Sequence, residues 1–486
     1  MTHSGATIGV EGWHDAPLVQ AATRGRWVRT PSGSARFVRI DSREIQPGDA
    51  FVALRGEHAD GHAFLAQAAA RGAAFAVIDD QSAAGDLASL PEGFGVLLVD
   101  SAMDALREWA CAHRDRLIGT RVVAVAGSAG KTTTVRLIDA ALRTQLSGTH
   151  APKSFNNHLG VAVTLLGASP RDGYVVCEVG TSGPGETAAL SAIVRPDVAV
   201  LTSLGREHLE GLGSLEGVAK EAAAITVGLH VDGSLILPED ALLPRETRGV
   251  IDALTEGPWR RVRFGASDSC DVRAEVVAQG WAGVRARLAG REVMLPMPGA
   301  HNALNAAAAI GVARELGLDE AQACDGLASA QGPPMRLERL ELRGVRVLHD
   351  AYNAHPDSVR AALVTLAGID PAPGGRRVAV LGEMLELGTL ADAEHRGLGA
   401  WLVGAGGGSC DLVVTLGRRA ALVGEGLGGA RGAGIAEHRA IEPTNGGRAS
   451  DAACAAAAGL LRAGDVALVK GSRGAGLERV VDALRG

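Results

Sequence analysis

RVVAVAGSAGKTTTVR, residues 121–136, decides how the rest of the chain is read. An apolar run ends in a loop of small residues, and the loop leads into a lysine and three threonines. A buried strand feeding a tight loop and then a helix leaves backbone N–H groups free to surround a phosphate. The usual motif, G-x-x-x-x-G-K-[ST], wants glycine where this chain has Val125. A shorter G-x-x-G-K-T is intact. Gly127 and Gly130 permit the tight path, with Ser128 and Ala129 between them. Lys131 can reach β- and γ-phosphate oxygens, and Thr132, followed by Thr133, can offer a hydroxyl to Mg²⁺. The stretch predicts a nucleotide-phosphate site rather than an ordinary strand–helix turn.

The same rhythm continues downstream. GYVVCEVG precedes the helical ETAALSAIV, DVAVLTSLG precedes SLEGVAKEAAAITVG, and GAHNALNAAAAIGVARELG is a further helix. Short Val-rich runs alternating with longer helical ones predict a mostly parallel sheet covered by helices. Ligands collect at the carboxyl ends of such strands, where Glu178 and His208 stand. With Thr132 they are candidate Mg²⁺ ligands. KSFNNHLGVAVTLL, 153–166, places Asn156, Asn157 and His158 between a turn and a helix. The paired amides suit a polar substrate, while helix capping is the alternative use of one of them.

Upstream, ARFVRI, DAFVAL, AAFAVID and GVLLVD with the helical HAFLAQAAARGA predict a small α/β domain. The helix SAMDALREWACAHRDRL closes it near residue 115. The Gly- and Pro-rich QGPPMR marks a second boundary. Beyond it, RVLHDAYN, RRVAVLGEM, DLVVTLG and DVALVKGS predict a third, Rossmann-like α/β domain. The expected division is 1–115, 116–331 and 332–486, with the phosphate loop in the central domain. GAGGGS at 404–409 and GEGLGGARGAG at 424–434 read as loops. HDAYNAHPDSVRAAL, 349–363, sets Asp350 at a strand end, suited to a ribose hydroxyl, with Tyr352, Asn353 and His355 behind it. KGSRGAGLE, 470–478, groups Lys470, Ser472 and Arg473 in a glycine-rich turn suited to a carboxylate or phosphate. For either stretch a solvated loop is the alternative.

The totals agree with this division. A chain of 486 residues has room for about three domains. Its 47% hydrophobic and 21% charged content is ordinary for globular cores, and aromatics at 3% leave those cores to Ala, Val and Leu. A net charge of -7 argues against general nucleic-acid binding, which needs a basic face. No apolar run approaches the roughly 18 residues that span a bilayer, and MTHSGATIGVEGWHDA lacks the pattern of a signal peptide. Cys111, Cys177, Cys270, Cys324, Cys410 and Cys454 are scattered without a C-x-x-C pair, as expected of thiols in a reducing cytoplasm.

Taken in order, these stretches resemble the Mur ligases from about residue 36 to 484. The resemblance is carried by DSREIQPGDAFVALRGEHADGHAFLAQAAARGA, GSAGKTTT, KSFNNHLGVAVTLL, EVGTSGPGE, REHLEGLGSLEGVAK, GAHNALNAAAAI, MRLE, DAYNAHPDSVRAAL, VLGEMLELG and KGSRGAGLE. The NN-x-x-G-V, YNA-x-PDS and GEMLELG stretches point to the members that add D-alanyl-D-alanine. The resemblance implies ATP- and Mg²⁺-dependent amide-bond synthesis in peptidoglycan assembly. The γ-phosphate of ATP goes to the terminal carboxylate of UDP-N-acetylmuramoyl-tripeptide, and the amine of D-alanyl-D-alanine attacks the acyl phosphate. It also implies a cytoplasmic enzyme, and the expected working form is a monomer.

By resemblance, residues 127–133 hold the ATP phosphates, with Lys131 and Thr132 foremost, and Glu178 and His208 match metal-site positions. Asn302 and Asn305 match the adenine region, Arg336 reaches toward the γ-phosphate, and Asp350 and Tyr352 contact the nucleotide. Ser42, Arg43, Asp60, Gly61 and His62 match the UDP-sugar pocket. Asn156, Asn157 and His158 lie on the substrate side, and Lys470, Ser472 and Arg473 face the incoming substrates. The chain departs from the family at Ala129, where Asn is common, and at His355, where the family has YNANPDS. Many members also carry a carbamate-modified lysine bridging two Mg²⁺ ions, and that position falls on Ala222. The alternatives are Lys220 by a shift of register, Glu221 as a carboxylate, or a different arrangement of metal.

Other readings are a diamino-acid-adding, folylpolyglutamate or cyanophycin-type ligase. The first would carry a different stretch at KSFNNHLGV, and a folate enzyme would lack the DSR…DGH domain. A non-catalytic nucleotide-dependent scaffold would not need Lys131, Thr132, Glu178, His208 and Arg336 together.

Overall fold

Three sheets organise the described residues. The first comprises β1 (Arg26–Arg29), β2 (Val38–Arg39), β3 (Ala50–Val52), β4 (Phe75–Ile78) and β5 (Gly95–Leu98), in the order β1-β5-β4-β3-β2. Its pairings are parallel except β1 with β5. The second comprises β6 (Arg121–Ala126), β7 (Gly148–His150), β8 (Tyr174–Glu178), β9 (Val198–Leu201), β10 (Ser234–Pro238), β11 (Arg260–Gly265), β12 (Val272–Gly280), β13 (Gly283–Leu288) and β14 (Arg291–Leu295). Their order is β14-β13-β12-β11-β10-β9-β6-β8-β7. The third comprises β15 (Glu338–Leu342), β16 (Val345–Asp350), β17 (Arg377–Leu381), β18 (Leu412–Leu416), β19 (Glu437–Ile441) and β20 (Val466–Lys470), in the order β15-β16-β20-β17-β18-β19. The molecule is a mixed α/β protein with mostly parallel sheets, as the strand–helix alternation predicts.

This computed structural model describes residues 12–486 apart from 57–58, 86, 153, 407, 429–436 and 443–447. Most of the N-terminal stretch read for a signal peptide, Lys153 of KSFNNHLG, Gly407 and the later part of the glycine-rich run 424–434 therefore lie outside the described residues. Contacts group the chain into two compact units. One comprises residues 1–123, 146–178 and 192–195, the other 124–145, 179–191 and 196–486.

Two features depart from a plain strand–helix repeat. After β12 the central sheet turns antiparallel, with β13 and β14 forming a meander. Alternate residues of β13 are buried, the signature of a strand wet on one face. The third sheet opens with the antiparallel β15–β16 hairpin before its parallel part begins.

The first unit builds its core on Phe51, Ile78, Val96 and Leu65, with Trp109 fully buried on the helix Ala102–Arg116. Beside Trp109 sit two fully buried imidazoles, His14 and His113, 4.7 Å apart. His14 Nε2 lies 2.8 Å from the Leu166 carbonyl and His113 Nε2 2.8 Å from that of Ala168. A carbonyl only accepts, so each Nε2 carries its hydrogen and each Nδ1 is bare and buried. Burial is the main reason the His14 pKa falls to about 3 and that of His113 to about 4. These are structural imidazoles, held neutral.

Candidate active site

β6 is buried from Val122 to Ala126 and delivers the chain into Gly127, within the second unit. That glycine has φ 128°, and a Cβ there would stand 2.4 Å from Thr202 Oγ1 and 2.8 Å from the Ser203 carbonyl. The loop is pinned to the segment after β9. Ser128 N donates to Ser203 O at 2.8 Å, Ala129 N to Ser203 Oγ at 3.0 Å, and Thr202 Oγ1 to Ala129 O at 2.6 Å. Ala129 thus contributes backbone. Gly130, φ 83°, caps the helix Lys131–Leu142, and a Cβ there would stand 2.8 Å from Asn305 Oδ1. The first N–H groups of a helix have no acceptor within it, which makes this end suited to an anion. Thr132 and Thr133 are buried in its first turn.

The Lys131 ammonium is folded back on its own loop. It donates to Gly127 O at 2.6 Å and Ser128 O at 3.1 Å, with Glu207 Oε2 at 3.4 Å. Glu207 is buried, and its other oxygen accepts from Asn353 Nδ2 at 2.8 Å. Burial alone would raise its pKa, but the charges of Lys131, His355 and His208 outweigh that and hold it below the usual carboxylate value. Sequence reasoning missed Glu207 as a site residue. The acid beside His208 was visible, but its proximity to Lys131 and Asn353 arises only from folding.

His208 has φ 53°, a strained value for a non-glycine residue, and its Nδ1 lies 2.5 Å from Glu386 Oε2. Glu386 itself has φ 62°. Burial pulls the imidazole pKa down, yet the Glu386 hydrogen bond and the Glu207 and Glu386 charges raise it above its ordinary value. A carboxylate bonded to one ring nitrogen fixes which nitrogen is left for a ligand. GEMLELG therefore brings a partner for His208 that the motif alone did not reveal.

Asp350 ends β16 and pairs in register with Lys470 at the end of β20. The two side chains are buried, with Lys470 Nζ 2.7 Å from Asp350 Oδ2 and 2.9 Å from the Asn353 carbonyl. Lys470, expected to face incoming substrates, thus holds the end of β16. Ser472, from the same turn, is buried between Ala354 O and Leu385 N. Arg473 is exposed, against Met335 Sδ. Arg336 stacks on Tyr352 with its guanidinium carbon 4.2 Å from the ring centre. Both neighbours of Arg336, Met335 and Leu337, take positive φ, and Leu337 N donates to Asp350 Oδ1 at 3.2 Å. Asn302, on the helix His301–Glu315, caps Pro298 O and accepts from Asn305. His355, the departure from YNANPDS, is a buried residue at the N-cap of the helix Pro356–Ala367.

The carbamate alternatives separate cleanly. Ala222 and Val218, one helical turn apart, line a small cavity with Gly127, Ser128, Glu207 and His208. Lys220 lies on the exposed face, paired with Glu216 at 2.7 Å. The Glu221 carboxylate caps the helix Glu186–Val194, accepting from Gly185 N at 2.7 Å and Thr187 N at 2.6 Å. Neither takes the place of a lysine at 222.

In the first unit Glu178, buried at the end of β8, accepts from Asn156 Nδ2 at 3.0 Å and leaves Oε2 buried without a partner. Asn157 is the helix cap, accepting from Gly160 N, and His158 is exposed beside it. Elsewhere in that unit Asp60 accepts from His62 N and Nδ1, at 3.0 and 2.6 Å, while His62 Nε2 accepts from Asp79 N. Gly61 packs on Leu54, leaving no room for a Cβ. Ser42 is buried against Gln67, and Arg43 is exposed on Asp41. Among the described residues no three His, Cys, Asp or Glu side chains form a ready metal cage.

A phosphate loop at the head of a helix, with polar residues gathered at the carboxyl ends of parallel strands, defines a nucleotide-binding α/β protein. Residues 34–114 match the Mur ligase family catalytic domain, 125–313 the Mur ligase middle domain, and 335–473 the Mur ligase glutamate ligase domain. The chain belongs to the Mur ligase family. It is 35% identical over 392 residues to the UDP-N-acetylmuramoyl-tripeptide–D-alanyl-D-alanine ligase of Bacillus subtilis strain 168, covering 80% of this chain and 81% of that one. Among solved structures it is similar to MurF from Acinetobacter baumannii, with 28% identity, TM-score 0.78 and coverage of 97% and 99%. It is also similar to the Thermotoga maritima MurF ligase in complex with ADP, with 26% identity, TM-score 0.71 and coverage of 93% and 97%.

Proposed function

We infer that this chain is an ATP-dependent ligase joining D-alanyl-D-alanine to UDP-N-acetylmuramoyl-tripeptide, the step that completes the pentapeptide precursor of peptidoglycan. The observation that carries the reading is the match to ligases of that name along most of the chain, with the phosphate loop intact. The tripeptide carboxylate attacks the γ-phosphorus of ATP, ADP leaves, and an acyl phosphate forms. The amine of D-alanyl-D-alanine attacks the acyl carbon, loses a proton, and expels inorganic phosphate with a former carboxylate oxygen.

Such phosphoryl transfer asks the protein mainly for positioning and charge neutralisation. Residues 127–133 cradle the phosphates through backbone N–H groups, and Lys131 turns to the β- and γ-oxygens. Arg336, levelled by Tyr352 and by its strained neighbours, meets the γ-phosphate. Asn302 and Asn305 serve the adenine end, and Asp350 and Tyr352 the ribose end. Mg²⁺ supplies Lewis-acid neutralisation of the phosphates. Thr132 and His208 are side chains suited to hold it, and Glu178, with its unpartnered oxygen, is assigned to it by the family resemblance alone. Ser42, Arg43, Asp60, Gly61 and His62 take the UDP-sugar, while Asn156, Asn157 and His158 take the peptide side. Ser472 and Arg473 lie toward the incoming substrates, and Lys470 acts by fixing Asp350.

The working division is 1–115 for the UDP substrate, 116–331 for ATP and 332–486 for the Rossmann-like part. No helix among the described residues is long and apolar enough to cross a membrane. The family resemblance supports a cytoplasmic enzyme, and we read the working form as a monomer. Tripeptide labelled with ¹⁸O in its terminal carboxylate tests the reaction. One labelled oxygen should appear in the phosphate formed with the pentapeptide. Unlabelled phosphate beside labelled pentapeptide would exclude the acyl phosphate, and absence of pentapeptide would exclude the ligase.

A further inference from the structure

Glu207 is a buried carboxylate with two engagements that serve different parts of the site. Its Oε2 faces the Lys131 ammonium at 3.4 Å, and its Oε1 accepts from Asn353 at 2.8 Å. The Lys131 contact is the longest of the three that hold the ammonium, the others being carbonyls of its own loop. The ammonium has three N–H donors, so a phosphate meets it by taking the place of its longest contact, that to Glu207. The second engagement reaches the segment 350–357, which carries Asp350 and Tyr352. That segment is tied back beside Glu207, because Asp357 Oδ2 accepts from Arg206 N at 3.0 Å.

We propose that Glu207 is a positioning residue that parks Lys131 while the phosphate loop is empty and relays the arrival of nucleotide phosphate to the 350–357 segment through Asn353. A nucleotide phosphate competes with the Glu207 carboxylate for Lys131 and wins because it carries more charge and more acceptor oxygens. Once Lys131 turns, Glu207 keeps the Asn353 hydrogen bond on its other oxygen. The residue therefore weakens resting nucleotide affinity and links phosphate occupancy to the segment that bears the ribose contacts and the ring stacked on Arg336. This inference rests on the nucleotide reading of the loop.

The test is calorimetric titration of the full chain with Mg²⁺ and the β,γ-imido analogue of ATP, alongside steady-state kinetics. Glu207→Gln keeps the shape and an acceptor for Asn353 but removes the charge facing Lys131. It should lower the Kd for the analogue about fivefold to tenfold, lower KM for ATP, and lower kcat. Asn353→Ala should leave the Kd within about twofold and reduce kcat alone, since it cuts only the relay. An unchanged or weakened Kd in Glu207→Gln overturns the parking role, and an unchanged kcat in Asn353→Ala overturns the relay. If Glu207→Gln does not fold, Glu207→Asp must show tightening of about twofold or more, because its shorter arm withdraws the carboxylate. No tightening there also overturns the proposal. Failure of the unaltered chain to bind the analogue at all would instead break the nucleotide reading itself.

Discussion

Lys131 and Lys470 look alike in sequence, since each follows a buried parallel strand and stands at a glycine-bearing turn. Their surroundings differ. Lys470 makes a 2.7 Å bond to Asp350, its register partner on the neighbouring strand, and is buried there. Lys131 is held by two carbonyls of its own loop and by a carboxylate at 3.4 Å. The first cation has a dedicated partner whose removal would strand a buried charge. The second has replaceable acceptors. A lysine built to meet a ligand is thus distinguished from one built to hold a sheet by what remains behind when it moves.

The contrast can be broken by substitution. Lys131→Ala should lower kcat by about 10³-fold or more, as loss of a group that meets transition-state charge does. Its melting temperature should fall less than that of Lys470→Ala, because Glu207 keeps the Asn353 hydrogen bond. A large loss of stability would place Lys131 with Lys470. Conversely, Lys470→Ala should cost about 3–5 kcal/mol in denaturant unfolding by leaving Asp350 buried and unpaired. Lys470→Met combined with Asp350→Leu should recover most of that. If the single change is neutral, the pair is not the structural one described.

The His14–His113 pair sharpens the comparison from the other unit, since there the buried basic groups are uncharged. Their folded pKa values, about 3 and about 4, lie below the unfolded value near 6.5. Between those values the unfolded chain binds more protons, so the stability contribution is complete above about pH 6.5 and fades as pH falls toward 4. Arg116 adds to the repulsion. Unfolding free energies followed from pH 7 to 4 should drop by a few kcal/mol, and His14→Phe should flatten the slope. The smallest effect expected is that of Tyr352→Leu. Losing the stack under Arg336 is worth about 1 kcal/mol, hence about a fivefold rise in KM for ATP.

Much of this was legible in sequence because the parallel strands are short apolar runs set between helical ones. β6, β8, β9, β16, β17, β18 and β20 each sit where the Val-rich stretches predicted them. β19 was not read, as EHRAI is an exposed edge strand with no apolar run. The β12–β14 meander carries period-two alternation, yet the reading of a repeated strand–helix unit passed over it. At the site, the phosphate loop followed from local chemistry. Glu207 and Glu386 did not, because a carboxylate in a polar loop acquires meaning only from the group it faces. Lys220 is the instructive intermediate case. Helical spacing alone puts residue 222 on the face of Val218 and residue 220 on the far side, and the structure has that arrangement.

The central claim is that this chain uses ATP to join two particular substrates, and phosphate release under controlled substrate omission measures it most directly. With Mg²⁺, ATP, UDP-N-acetylmuramoyl-tripeptide and D-alanyl-D-alanine together, phosphate should appear in step with pentapeptide. With D-alanyl-D-alanine omitted, sustained release should cease. Phosphate released equally in its absence, or none with both substrates present, would contradict the account.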